Sequence, residues 1–339
     1  MACGMRVIEW AFCQKELRRV QINEVDASLF NSGTSYHGNE VTKRHATKVN
    51  QPRTHTSTLS GTLWDALELS GNFRGCGWNW AQTVPPDVRP TSSTSAFLLS
   101  TLVSAITHVL LFDLMLSTVR SFSPSTFGSP AGGTIYDPSL PPYHRYARSS
   151  FITLAGAITI YAIVQAAYDI MTIICISVLQ QRPTQWPPIF DSPWLSTSLT
   201  AHWGRRWHQL LRGIFINIGT RPLSSLTGRV GGVMGAFFWS AVLHDFGMWG
   251  VGRGTEFWSI GGFFLMHGVG CILEALFKKA TGMKVVGWVG WVWTMSWLVG
   301  WGHLLVDAYA RRGLVGCKFV PEGYMPSQII ASYINGHST

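Results

Sequence analysis

Ala201-His-Trp-Gly-Arg-Arg-Trp-His-Gln-Leu-Leu-Arg212, read together with Ala241-Val-Leu-His-Asp-Phe-Gly247, is the part of the chain around which the rest is arranged. Taken as a helix, the first stretch sets Arg205, His208, Gln209 and Arg212 on one stripe and Trp203, Trp207, Leu210 and Ile214 on another, because positions three and four apart share a face. Two tryptophans on a stripe predict a seat at a membrane–water interface. The second stretch puts His244 and Asp245 inside an apolar run, where an ionisable group is costly and marks a functional site by default.

Composition sets the surroundings of these two stretches. Across 339 residues only 13% are charged, 16 are Trp, and mean hydropathy is +0.18, which points to a polytopic membrane protein. A net charge of +9 would suggest nucleic acid in a soluble chain. Here the basic residues lie in the polar N-terminal region and in loops beside apolar spans, the pattern of cytosolic loops, so no nucleic-acid partner is expected. Six cysteines without C-x-x-C spacing support neither a disulfide framework nor a zinc site, and Cys175 and Cys271 read as small buried side chains. The first residues, with Glu9, Lys15, Glu16, Arg18 and Arg19, do not form a signal-peptide core.

Working outward, residues 1–94 are polar and read as a cytosolic N-terminal region holding ten of the 26 Lys and Arg. Residues 31–60 read as a loop, Leu63–Leu69 and Arg74–Trp80 as ordered at the membrane surface, and Trp78 and Trp80 as interfacial anchors. A membrane-embedded domain is expected over 95–307 and a tail over 308–339. Five apolar spans are expected, at about Ser95–Thr118, Ser150–Leu179, Val230–Val251, Phe257–Phe277 and Val285–Leu305, each long enough for a core of about 30 Å. Proline-rich loops separate the first two spans and lead up to the organising helix. That helix is expected to be capped by Ser198, to end at Gly219 and Pro222, and to be re-entrant or interfacial. The fold class is therefore all-α and polytopic. With a cytosolic N-terminus the cytosolic segments hold ten, six and three Lys or Arg against three, one and three opposite, which places His208 on the cytosolic side.

The run Pro187-Pro-Ile-Phe190, then Thr197-Ser-Leu199, then Trp203-Gly-Arg-Arg-Trp-His-Gln209, with His244 following 36 residues after His208, resembles the wax-synthase-like branch of the membrane-bound O-acyltransferases. The likeness is strongest to fungal members that acetylate terpenoids. In that family the Trp-Gly-Arg-Arg-Trp-His motif is followed by one histidine in a membrane helix, regarded as the catalytic base. This chain departs at His202, where the family usually has an aromatic residue, commonly Phe. Glu9-Trp-Ala-Phe12 and Asn72-Phe-Arg-Gly-Cys-Gly-Trp78 also look like family landmarks, so the resemblance runs from about Trp10 to Asp307. It implies further spans before the first landmark; by that measure the chain begins late, through a shortened gene model or loss of spans, and an inactive remnant is one reading.

The resemblance implies acyl transfer, acetyl above all, from acyl-CoA to a hydroxyl of a lipophilic terpenoid or meroterpenoid, with no bound cofactor or metal. It also implies three partners, the lipid bilayer, the acyl-CoA and the alcohol, in an integral membrane protein of the endoplasmic reticulum. His244, about 14 residues into its span, suits a neutral base. His208 is the expected donor to the thioester carbonyl and its oxyanion. Arg205, Arg206 and Arg212, with Trp203 and Trp207 beside them, are the candidate acyl-CoA contacts. Plainer readings stand beside these: packing for His244, solvation for His208, anchoring for the arginines. Asp245 points about 100° from His244 and is expected to pair elsewhere. His267, His303 and Asp169 read as tunnel lining or polar packing, and Glu274 with Lys278 and Asp307 with Arg311 as pairs one turn apart. A long-chain wax or sterol ester synthase, and a non-catalytic channel or transporter, remain the alternatives. Di-iron histidine boxes, a G-x-S-x-G elbow and a P-loop are missing from the sequence.

Overall fold

Apolar runs in lipid can satisfy their backbone only within themselves, and this chain does so with long helices. The computed structural model describes Met5 and residues 59–72, 74–76, 78, 93–318 and 325–336. The Glu9–Phe12 landmark, Trp80 and the expected loop over 31–58 lie outside the described residues. In order, the helices are α1 (Leu59–Gly71), α2 (Thr94–Ser121), α3 (Pro142–Ser177), the short α4 (Leu199–Ala201) and α5 (Arg212–Phe215), then α6 (Arg221–Gly250), α7 (Phe257–Thr281), α8 (Gly287–Arg311) and α9 (Pro326–Gly336).

Each long helix begins where local chemistry allows. Ser93 caps α2, its Oγ accepting the Ala96 N–H at 3.1 Å. Pro142 opens α3 in the first turn, where a missing N–H is harmless. Four stretches are long and apolar enough to cross a membrane: α2, α3, the run Arg212–Gly250 and α7. α8 matches them in length, but its glycines, tryptophans and His303 lower its apolar character, and the expected count of five is not reached on that measure. Leu99, Leu102, Ile106, Leu110 and Leu114 leave one face of α2 exposed, as a lipid-facing helix requires.

The helices pack in the spatial order α2, α3, α8, α7, α6. One apolar cluster joins α2, the 122–141 loop, α3 and α8 through Val119, Phe127, Ile152 and Val306; another joins α6, α7 and α8 through Ala241, Met248, Ile260, Phe264 and Leu305. The buried carboxylates close the loops around this bundle. Asp307 accepts from Thr134 Oγ1 (2.7 Å), the Ile135 N–H (2.9 Å) and Arg311 (2.6 Å), so the expected pair one turn apart also ties down a loop. Asp113 accepts from the N–H and hydroxyl of Ser327 and fastens α9 to α2.

The organising stretch departs from its expected form. It is not one helix with two stripes: after α4 the backbone widens into a π turn over His202–Arg206, becomes extended at Trp207, and resumes as helix at Arg212. The break is held by side chains, since Gln209 Nε2 donates to the carbonyls of Trp203 and Trp207 that the lost ladder leaves open. Arg206 donates to the carbonyls of Asp191 and Ser192, both at 3.0 Å, while its own carbonyl accepts the Asp191 N–H. Nor does the helix end at Gly219 and Pro222. A second π turn (Ile216–Thr220) runs into α6, with Pro222 in its first turn.

The reversal comes instead at Gly228, whose φ of 71° and ψ of −162° only glycine adopts readily. It folds the 212–227 arm back along α6 so closely that a Cβ on Gly219 would lie 2.6 Å from the Gly235 carbonyl oxygen. The expected re-entrant element is thus a hairpin. Its cap was correctly placed: Ser198 Oγ accepts the Ala201 N–H at 3.0 Å. Trp78 is buried rather than interfacial, with its indole N–H on Glu68 at 3.2 Å.

Candidate active site

The helices enclose a chamber of about 1060 Å³ with a strongly apolar wall. The broken segment forms one side of it, contributing His202, Trp203, Trp207, His208, Gln209 and Arg212; α6 contributes Ser240 and His244. The two histidines expected from sequence therefore share one cavity. His244 Nδ1 sits 2.7 Å from the Ser240 carbonyl, which can only accept, so the proton is on Nδ1 and Nε2 keeps its lone pair. The ring is braced by Phe264 at 4.5 Å between centroids. His208 Nδ1 is buried without a hydrogen-bond partner, and its ring stands against Phe190 and Trp207.

Burial first, and the nearby His244 second, push the His208 pKa down to about 4, so it is neutral at physiological pH. His202 is pushed further, to about 3, mainly by burial and next by His267. Its ring stacks on Trp207 (5.5 Å, 21°) and meets Trp203 edge-on, with Ser196 Oγ 3.1 Å from Nδ1. Because both rings refuse a proton that the unfolded chain accepts below pH 6.5, stability falls as pH drops, by about 1.4 kcal/mol per histidine at pH 5.5 relative to pH 8. His202→Phe is expected to keep the stack and reduce the loss by about 1.4 kcal/mol, the share of one histidine. Melting curves at the two pH values check this, and an undiminished loss in the variant would refute it.

The tryptophans are not interfacial anchors, because the broken helix turns them inward. Trp203 is wedged among Phe237, Phe263, Phe264 and His267, and Trp207 lies on Phe190. Arg205 pairs with Asp191 at 3.2 Å and Arg206 holds the proline-rich loop, while Arg212 is exposed beside the chamber. That loop is pinned from two sides: the Pro187 carbonyl accepts from Arg74 (3.0 Å) and Tyr168 (2.6 Å). Asp245 turns away from His244, as expected, and accepts the Glu256 N–H at 2.7 Å.

His303 bonds Ser150 and stacks on Tyr136, away from the chamber, and His267 is fully buried behind Trp203. Cys175 is buried, whereas Cys271 borders the chamber. Sequence reasoning missed Glu274. Instead of pairing with Lys278, it is buried and accepts the N–H groups of Leu199 (2.6 Å) and Thr200 (3.0 Å), the Thr200 hydroxyl and the Trp293 indole. Its lack of an apolar reason to be inside was the available signal. Among the described residues no three His, Cys, Asp or Glu side chains gather as a metal-holding group.

Fold and site define a polytopic helical membrane protein with an apolar chamber and a histidine pair on its wall. Residues 186–266, which enclose both histidines, match the membrane bound O-acyl transferase family. The chain is 27% identical over 266 residues to acetyltransferase ple2 of Rhodocybe pseudopiperita, covering 72% of this chain and 65% of that one. It is 27% identical to the O-Mevalon transferase yanI of Aspergillus niger (68% and 58%), and 32% identical over 106 residues to a long-chain-alcohol O-fatty-acyltransferase of Simmondsia chinensis (29% and 30%). The chain thus spans less than two thirds of the length of these relatives. Residues 186–266 are thus similar to that family, and the longer matches are to fungal enzymes.

Proposed function

We propose that this protein transfers an acyl group, acetyl by preference, from acyl-CoA to a hydroxyl of a lipophilic terpenoid or meroterpenoid alcohol. The observation that carries the reading is His244 with its Nε2 lone pair free of the Ser240 contact, in the same apolar chamber as His208. His244 takes the hydroxyl proton as the alcohol oxygen attacks the thioester carbon. His208 donates a hydrogen bond from its imidazole to the oxyanion of the tetrahedral intermediate. The C–S bond then breaks, and the His244 imidazolium returns its proton to the departing CoA sulfur. The dry wall keeps water from competing as acceptor.

Arg212 is the cation best placed to meet the donor's phosphates, with Trp203 and Trp207 flanking the reaction centre. We place the acyltransferase unit at 95–307, behind the polar 1–94 region and ahead of the 308–339 tail, in the endoplasmic reticulum with the N-terminus cytosolic. The chamber, large for a small-molecule site, supports a bulky acceptor. The likeness to the Simmondsia enzyme, whose name specifies long-chain alcohols, supports a second reading as a wax or sterol ester synthase. Membranes containing the protein, given labelled acetyl-CoA or palmitoyl-CoA with terpenoid and fatty alcohols, decide between them. Acetyl ester is the expected product; palmitoyl ester alone would move the function to the second reading, and no ester from either would reject both.

A further inference from the structure

The chamber has a second polar wall that the acylation centre does not use. Tyr161 of α3 and His108 of α2 both line it. His108 Nδ1 lies 2.7 Å from the Ser104 carbonyl, which only accepts, so Nδ1 carries the proton and Nε2 offers a lone pair. The Tyr161 hydroxyl, 3.2 Å from that Nε2, therefore donates to it, and a phenol oxygen that has given its proton can still accept. Behind this pair stands Asp169, only 2% exposed, accepting from Ser104 Oγ (2.6 Å) and Gln165 Nε2 (2.9 Å), with an oxygen 3.9 Å from His108 Nδ1. A carboxylate buried among apolar helices is expensive, and here it braces the histidine that orients Tyr161. Two turns along α3, Thr153 also borders the chamber with a buried hydroxyl that has no protein partner.

This wall is close to the reaction centre. The Phe190 ring touches Tyr161 at 4.7 Å and His208 at 6.0 Å between centroids, so one rigid polycyclic molecule can reach both. The chamber lining is otherwise mostly apolar, including Ile158, Phe215, Leu298 and Val299. Resting on the acyl-transfer reading, we propose that Tyr161, positioned by His108 and Asp169, accepts a hydrogen bond from a second hydroxyl of the acceptor. The chamber then selects alcohols oxygenated at two ends over mono-ols of the same skeleton.

Equilibrium binding of tritiated androstanol and androstanediol to the detergent-solubilised full chain tests this without needing turnover. The wild type is expected to bind the diol about tenfold more tightly, the worth of one well-made hydrogen bond in a dry site. Tyr161→Phe removes one oxygen and should bind both probes alike, with mono-ol affinity unchanged within about twofold. His108→Ala leaves the hydroxyl in place but unoriented and should lose most of the preference. Equal binding of the two probes by the wild type, or a preference that survives in Tyr161→Phe, overturns the proposal. Labelled acetyl transfer to the same alcohols, measured in parallel, separates the two readings: a diol preference without ester keeps the anchor and rejects acyl transfer.

Discussion

His244→Ala is expected to lower acyl-transfer turnover by about 10²–10⁴-fold while leaving the melting temperature within a few degrees of the wild type. The two halves of this expectation have separate causes. Of the two chamber-lining histidines whose Nδ1 is held on a backbone carbonyl, His108 has its Nε2 taken by Tyr161, which leaves His244, held by the Ser240 carbonyl, as the candidate base. Without it the alcohol must lose its proton with no positioned base to take it. Structurally, the imidazole already borders open space, so removing it enlarges an existing chamber and forfeits one carbonyl hydrogen bond and the Phe264 contact. His208→Ala is expected to cost somewhat less, about 10²–10³-fold, because it removes one oxyanion donor and leaves the base. Turnover with acetyl-CoA beside a melting curve checks both. A fully active His244→Ala enzyme would remove this residue from the mechanism, and an inactive one that no longer folds would be answered by His244→Gln, which fills the same space without the base.

The second large effect is expected from a residue outside the chemistry. Glu274→Ala should destabilise the protein by about 3–5 kcal/mol, since hydrogen bonds to a charged acceptor are worth about 1.5–3 kcal/mol and buried donors left open cost more. The carboxylate accepts from two backbone N–H groups at the start of α4, the Thr200 hydroxyl and the Trp293 indole, so one side chain on α7 fixes the origin of the His202–Arg206 turn and ties it to α8. An acid at a helix start also meets the positive end of the peptide dipoles. Glu274→Gln keeps one carbonyl oxygen and should fall between wild type and Ala. Because the turn carries Trp203, Trp207 and His208 into the chamber, activity should fall with stability. Chemical denaturation of the solubilised protein measures the first. A Glu274→Ala variant as stable as the wild type would show that α4 is held by its Ser198 cap alone.

These two residues mark how far the sequence could be read. The long helices were legible because in lipid a run of apolar residues has no alternative to satisfying its own backbone, so their positions came out within a few residues for α2, α7 and the part of α6 beyond Gly228. Ser198 as a cap was legible because capping is local. His244 and His208 were legible as a pair only through the motif they share with a family; periodicity alone made the latter one member of a helical stripe. That stripe does not exist, because Trp207 is extended. The break is held by Gln209 on the carbonyls of Trp203 and Trp207, by the Asp191 N–H on the Arg206 carbonyl and by Phe190 against Trp207, and the Phe190 loop comes to it only once the chain is folded.

The same distinction separates the remaining features. Helix content and the positions of the long apolar helices were determined by the sequence alone, since each depends on neighbours a few positions away. The tertiary structure alone decided that Gly228 rather than Pro222 turns the chain, that His202 stacks on Trp207, that Glu274 is a capping acid rather than half of a surface pair, and that Tyr161 and His108 meet on the chamber wall with Asp169 behind them. Each of these is a contact between residues distant in sequence, or a backbone choice made stable by such a contact. Its energy does not exist until the helices have packed.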